Sequence, residues 1–257
     1  MYPDVIDLND FYESRLGRVA RQHIGREIGE IWPNVKGLRV LGIGYPTPYL
    51  GGFRGQAERA IAVMPAAQGV IRWPSEGPAL AALADEHELP LPDQSVDRVI
   101  LVHALENTDH AGALLREVWR VMTAEGRLLL VVPNRRGLWA RFERTPFGQG
   151  RPFSGRQINM VLQDSMFSPL RKSAALFMPP SERKFILRFA GSLERAGGRW
   201  WRNFGGVRLI EASKQIYGLS AAAPARRFRR RAPVPSAGTN RARLARTGMG
   251  GSNTLDP

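Results

Sequence analysis

Between Asp85 and Pro133 the spacing of apolar residues changes character several times. Asp85 to Asp97 holds Pro90, Pro92 and a cluster of polar residues, which predicts a loop. Arg98-Val99-Ile100-Leu101-Val102-His103-Ala104-Leu105 is dense in β-branched and aliphatic residues. Such a run suits a strand buried on both faces of a parallel sheet. From His110 to Met122 the residues Leu114, Leu115, Val118, Trp119, Val121 and Met122 recur with a 3.6-residue period, which predicts an amphipathic helix. Asn107, Thr108 or Asp109 can cap its start, and Gly126 is placed to stop its far end. Arg127 to Pro133 is a second buried run. A strand, a helix and a strand in so short a span make a βαβ unit with parallel strands and a right-handed crossover.

The rest of the chain extends this pattern. Residues 9–32 read as one amphipathic helix, capped by Asn9 or Asp10 and ended by Pro33 and Gly37. Leu38 to Gly44 is a first strand, Ala60 to Pro65 a second and Pro78 to Ala84 a third. Gly55 to Ala60 is the expected site of the first crossover helix. Ser154 and Gln157 form a capping box for a helix through about Leu162. Ala174 to Met178 is a further strand, ended by Pro179 and Pro180. Ser181 caps a helix to about Ala196, with Phe185, Ile186, Phe189 and Leu193 on one face, and Gly206 to Tyr217 is the last strand. The expected class is α/β, a doubly wound and mostly parallel sheet with helices on both faces. The strands starting at Leu38 and Arg98 should be neighbours at its centre. Three parts are expected: an N-terminal helix (1–35), the α/β domain (36–218) and a C-terminal segment (219–257).

Composition narrows the chemistry. With 257 residues and 43% hydrophobic content the chain can build one sizeable core. It has no cysteine, which excludes disulfides, thiolate metal sites and cysteine nucleophiles. Its four histidines lie in no metal-ligand spacing, so no metal site is expected. No apolar run is long enough for a transmembrane helix, and the N-terminus lacks a signal pattern, so a cytoplasmic location is expected. Abundant Arg, Ala and Gly suggest a bacterium with a GC-rich genome. The net charge is +14, and eight arginines against one aspartate after Leu219 supply half of it. That segment has few large apolar residues and reads as disordered. The arginines clustered in Arg226 to Arg231 would bind polyanions weakly.

The stretches LPLPDQSVDRVILVHALEN and LLREVWRVMTAEGRLLLVVPN resemble the middle of class I S-adenosylmethionine-dependent methyltransferases, in the type 11 branch that acts largely on small molecules. The leading helix FYESRLGRVARQHIGREI also resembles that branch. The resemblance implies a Rossmann-like sheet of seven strands with the last one antiparallel. It also implies S-adenosylmethionine as cofactor and a small-molecule methyl acceptor. The cofactor-binding candidates it gives are Gly42, Gly44, Tyr45, Met64, Asp85 and His103. Three of these depart from the family. Gly42 stands where the first strand usually carries an acid. After Gly44, the Tyr45-Pro46-Thr47-Pro48 segment replaces the later glycines of the loop, which makes it stiffer and poorer in donors. Met64, followed by Pro65, replaces the carboxylate that usually binds the ribose hydroxyls. Asp85 keeps the acid that contacts the adenine amine.

Methyl transfer from a sulfonium mainly needs alignment and exclusion of water, and a base only where the acceptor is protonated. His103, at the end of its strand, is a candidate base with a suitable ordinary pKa, or else a packed strand-end histidine. Glu106-Asn107 stands where the family often shows Glu-His. The loop from Asn134 to Phe153 mixes arginines, aromatics and glycines, as a lid over an acidic or aromatic substrate or as a basic surface loop. Three functions are open: a small-molecule methyltransferase, a catalytically inactive methyltransferase-fold binding or scaffold protein, and an RNA methyltransferase that uses the arginine segment.

Overall fold

The computed structural model describes residues 2–201 and 204–216. The chain opens with helices α1 (Val5–Glu13) and α2 (Arg15–Ile31), where one helix was expected. Ser14 breaks the helix because its backbone is extended and its Oγ accepts the Gly17 N–H at 3.0 Å, capping α2. A Cβ on Gly17 would overlap the Phe11 carbonyl, so this close turn requires glycine. The first cap is Asp4, earlier than the expected Asn9 or Asp10; its Oδ1 accepts the Ile6 N–H at 2.7 Å.

The strands and helices that follow are β1 (Arg39–Gly44), α3 (Thr47–Leu50), β2 (Arg59–Pro65), β3 (Ala81–Ala84), β4 (Val96–Val102), α4 (Ala111–Val121), β5 (Met122–Pro133), α5 (Gly155–Asp164), β6 (Phe167–Ala175), α6 (Lys184–Trp200) and β7 (Val207–Lys214). They form one seven-stranded sheet in the order β3-β2-β1-β4-β5-β7-β6. β1 and β4 are central neighbours, as expected. The first five strands are parallel, and β7 runs antiparallel to β5 and β6.

Alternation along the strands sorts the core into two layers. Val40, Ala62, Ile100, Val102, Leu129, Val131 and Leu209 pack with α1, α2 and α3. Leu41, Ile43, Val99, Leu101, Leu128, Leu130 and Ile210 pack with α4 and α5. The N-terminal helices are tied to the far end of the sheet. Trp32 Nε1 donates to Glu211 Oε1 at 3.1 Å, and Arg171 Nη1 donates to the Glu30 carbonyl at 2.7 Å.

Several local expectations are corrected. Residues 55–58 lie in turns and a bend, and the helical part of the first crossover is the single turn α3. Pro48 in that first turn is compatible with a helix start. α4 ends at Val121, and Gly126 lies inside β5. His110 takes the N-cap position of α4 without a side-chain bond to the helix, and its own N–H donates to Thr108 Oγ1 at 3.3 Å. β6 starts earlier than expected, with Pro169 at a register shift of this edge strand, a position that tolerates proline. After Ala175 the chain leaves the sheet, and the N–H groups of Leu176, Phe177 and Met178 donate to the Glu194 carboxylate. α6 begins at Lys184, since Ser181 Oγ closes a local turn on the Arg183 N–H. The segment 219–257, expected to be disordered, lies outside the described residues.

Asp97, in β4, joins three strands. It accepts the Arg39 N–H and Nε at 2.9 Å each, Arg39 Nη2 at 3.1 Å and Thr123 Oγ1 at 3.2 Å. Hydrogen bonding from the Arg39 guanidinium holds its carboxyl below the ordinary aspartate value. A carboxyl lowered on folding stabilises above its unfolded value of about 3.9, and that contribution disappears as pH falls through the lower folded value. Asp97→Asn should therefore cost about 1–3 kcal/mol at neutral pH. It should also lose less stability than the wild type between about pH 4 and lower pH. Urea denaturation across that range checks both; parallel pH profiles for the two proteins would show that Asp97 is not the coupled group.

Candidate active site

The site candidates gather at the carboxyl edge of the parallel strands, where open α/β sheets place their ligands. Gly44 pairs with Val102 across β1 and β4, and the Tyr45 N–H donates to the Val102 carbonyl at 2.7 Å. His103 follows directly with a φ of +50°. A left-handed non-glycine residue is uncommon, histidine adopts it more readily than most, and such residues cluster at functional sites.

This backbone turns the His103 ring into a buried polar array. His103 is 1% exposed, and its Nε2 lies 2.9 Å from Tyr12 Oη, which in turn lies 3.1 Å from Tyr49 Oη. On the other side Nδ1 is 3.4 Å from Glu106 Oε1, an electrostatic contact longer than a good hydrogen bond. The carboxylate favours the proton on Nδ1, so Nε2 accepts from the Tyr12 hydroxyl. Burial raises the Tyr12 phenol well above its ordinary value, so it remains a neutral donor. Phe147 covers the imidazole with ring centroids 4.9 Å apart, and Tyr45 stacks on Tyr12 at 5.6 Å. Burial also pushes the Tyr45 phenol up to about 12.

The other candidates divide. Gly42, Gly44, Tyr45 and Met64 are all buried, and a Cβ on Gly42 would overlap Pro46 and Leu50. Gly44 has a φ of +90°, and a Cβ there would strike the Val102 carbonyl. Gly42 therefore makes room for this chain's own Tyr45–Leu50 turn, and Gly44 for Val102 at the end of β4 and Ala104 just past it. Met64 is a core residue in the same layer as Tyr45. Asp85 lies at the end of β3 on the same edge, exposed, with Oδ1 accepting the His87 N–H at 2.8 Å and 3.1 Å from His87 Nδ1. Asp85, Glu86 and His87 bring one ligand atom each within 4.8 Å, an arrangement their mutual contacts already account for. Asp85 has no contact with the His103 array.

Sequence reasoning passed over Tyr12, Tyr49 and Gln68, and gave Glu106 no role. The signal for Glu106 was a lone acid in the apolar stretch just past β4. Gln68 is 2% exposed, and its Nε2 donates to the Gly44 carbonyl at 3.1 Å. Neither Glu106 oxygen nor Gln68 Oε1 has a hydrogen-bond partner among the described residues.

Several solved structures share the fold. An S-adenosylmethionine-dependent methyltransferase from Thermotoga maritima matches with a TM-score of 0.59, 17% identity, 82% of this chain and 96% of the other. One from Archaeoglobus fulgidus matches with a TM-score of 0.53, 20% identity, 76% of this chain and 94% of the other. The methyltransferase in a complex with the Trm112 methyltransferase activator of Haloferax volcanii matches with a TM-score of 0.58, 16% identity, 82% of this chain and 98% of the other. Residues 41–130 match the family described as a methyltransferase domain. Over these residues the chain is similar to a methyltransferase domain, and its sheet has the fold of the S-adenosylmethionine-dependent methyltransferases above. No curated protein matches it in sequence.

The fit to that cofactor is uneven. Buried acceptors without hydrogen-bond partners among the described residues, Glu106 and Gln68 Oε1, suit a ligand rich in N–H and O–H donors. The glycine edge does not offer the same fit, because Pro46 and Leu50 occupy the space beside Gly42. Holding Glu106 without hydrogen bonds costs stability. Glu106→Gln should therefore leave the unfolding midpoint unchanged or raise it, whereas Tyr12→Phe should lower stability by about 1 kcal/mol through the lost bond to His103. Urea denaturation of both variants checks the pair. A lower midpoint for Glu106→Gln would show that the carboxylate is a structural anchor.

Proposed function

We propose that this chain is a bacterial cytoplasmic methyltransferase for a small-molecule acceptor. The observation that carries the reading is the buried Glu106–His103–Tyr12 array at the end of β4, next to Gly44. When bound, S-adenosylmethionine supplies an electrophilic methyl group on a sulfonium. Gln68 Oε1 and Glu106 are the acceptors this chain would offer to the ligand's N–H and O–H groups. Asp85 would accept from the adenine amine, and Met64 would give the nucleoside an apolar contact where the family has a carboxylate. His103 Nε2 would take the proton of an acceptor hydroxyl or ammonium group in exchange for its bond to Tyr12. Glu106 would then stabilise the imidazolium. Tyr45, Tyr49 and Phe147 exclude water from the imidazole. The arginines after Leu219 add weak polyanion contacts.

A second reading has one specific observation in its favour. Pro46 and Leu50 fill the space beside Gly42, which suits a binding or scaffold protein without catalysis. Titration calorimetry of the full chain with S-adenosylmethionine and S-adenosylhomocysteine separates the two. Binding is expected, about ten- to hundredfold weaker than for a relative with the ribose carboxylate, since a charged hydrogen bond contributes roughly 1.5–3 kcal/mol. Glu106→Gln and Asp85→Ala should each weaken it further. Gly44→Val is a poor probe, because its side chain would strike the Val102 carbonyl and disturb folding. No binding at millimolar ligand would reject the enzyme and leave the scaffold. Methyl-labelled cofactor added with a cell extract tests the acceptor. Label in the small-molecule fraction is expected; label in RNA would favour an RNA methyltransferase.

A further inference from the structure

Helix α6 buries one side and leaves an apolar stripe on another. Ala190 and Gly197 are buried, and Glu194 is held by the backbone of residues 176–178. Phe185, Phe189 and Leu193 follow at four-residue spacing and all face solvent, Phe185 at 73% exposure. The two phenyl rings touch each other with centroids 4.8 Å apart. Beyond the helix the apolar surface continues in Trp201, 61% exposed, and in Phe204 and Leu138. Leu138, Phe177, Leu193, Trp201 and Phe204 line a concavity of about 440 Å³, with Arg136 and Arg141 also on its wall. Lys184, Arg188, Arg195 and Arg199 are exposed on the same helix. Their 3.6-residue spacing sets all four along one flank of the stripe. Among the described residues none of these cations pairs with a carboxylate.

An exposed aromatic stripe flanked by unpaired cations has the chemistry of an interfacial helix. We propose that this face docks on a membrane surface rich in anionic phospholipid. The rings and Leu193 enter the boundary of the acyl layer, and the arginines meet lipid phosphates. The contact is superficial, since no described helix is long and apolar enough to cross a membrane. Charge selects this occupant. The chain's own segment 219–257 carries eight arginines and one aspartate, so it is repelled by the same rim. A second copy would bring two such rims together. Leu138, Leu193 and Ala196 interrupt the aromatic rings with aliphatic surface, which suits acyl chains better than a continuous base-stacking platform.

Flotation of the full chain with phosphatidylcholine vesicles, with and without phosphatidylglycerol, tests the proposal. Binding is expected only with the anionic lipid. The double variant Phe185→Ser/Phe189→Ser should lose roughly tenfold or more in vesicle affinity while its thermal melting is unchanged, because both rings are exposed. Arg136→Glu/Arg141→Glu should weaken binding to the anionic vesicles while leaving part of their selectivity to Lys184, Arg188, Arg195 and Arg199. The arginine segment is common to all these proteins, so adhesion through it alone would leave the Phe185→Ser/Phe189→Ser protein bound as well as the wild type and overturn the proposal. Absence of wild-type binding would do the same. Sedimentation showing a dimer that the double variant disperses would assign the face to a second copy instead. Loss of RNA retention in that variant, with vesicle binding intact, would assign it to nucleic acid.

Discussion

Lack of room at the carboxyl end of β1 governs the site. Gly42 and Gly44 lie against Pro46, Leu50, Val102 and Ala104, and no side chain larger than hydrogen fits at either position. The same crowding fixes the direction of the following turn. Pro46 and Pro48 limit its backbone, and Tyr45 and Tyr49 point back toward α1, where they meet Tyr12. Tyr12 then holds the His103 ring. A substitution at either glycine would thus be felt at the imidazole.

The array holds polar groups in a place where hydrophobic packing would be more stable. Glu106, His103, Gln68 and Thr108 are buried at the strand ends among aromatic rings. His103 adds a left-handed backbone conformation to that cost. The middles of the strands differ, since Leu101, Leu129 and Leu130 are plain core. Concentrating the unfavourable terms at one end lets the two apolar layers support them. It also means that the residues with the most to say about chemistry are poor choices for stabilising the protein.

What could be read in advance follows from which physics is local. β1, β4 and β5 were legible because they are buried on both faces, and a run such as Leu128 to Val132 has few other uses. α4 was legible from its stripe. The break at Ser14 was not, because an arginine and a leucine follow as they would inside a helix, and only the turn around Gly17 reveals the cap. The exposure of Phe185 and Phe189 was also hidden. Periodicity shows that a helix has an apolar face but not that a partner within the chain covers it. The site was half legible. Gly44 and His103 stand where strand ends put them, whereas Tyr12 comes from a helix far away in sequence and reads there as an ordinary core aromatic. The prolines after Gly44 were visible in the sequence, but their packing against Gly42 depends on the fold.

The position of β7 has a consequence in time. It is the last strand of the sheet to be synthesised, yet it sits between β5 and β6. Until it is made, β5 and β6 each have an open edge, and α2 lacks Glu211 as the partner for Trp32. Unpaired strand edges invite association with other chains. A nascent chain must therefore hold its hydrophobic sheet incomplete through most of its translation. A ribosome stalled before residue 207 would carry an aggregation-prone half-sheet, and the final few residues of that strand change it into a closed domain.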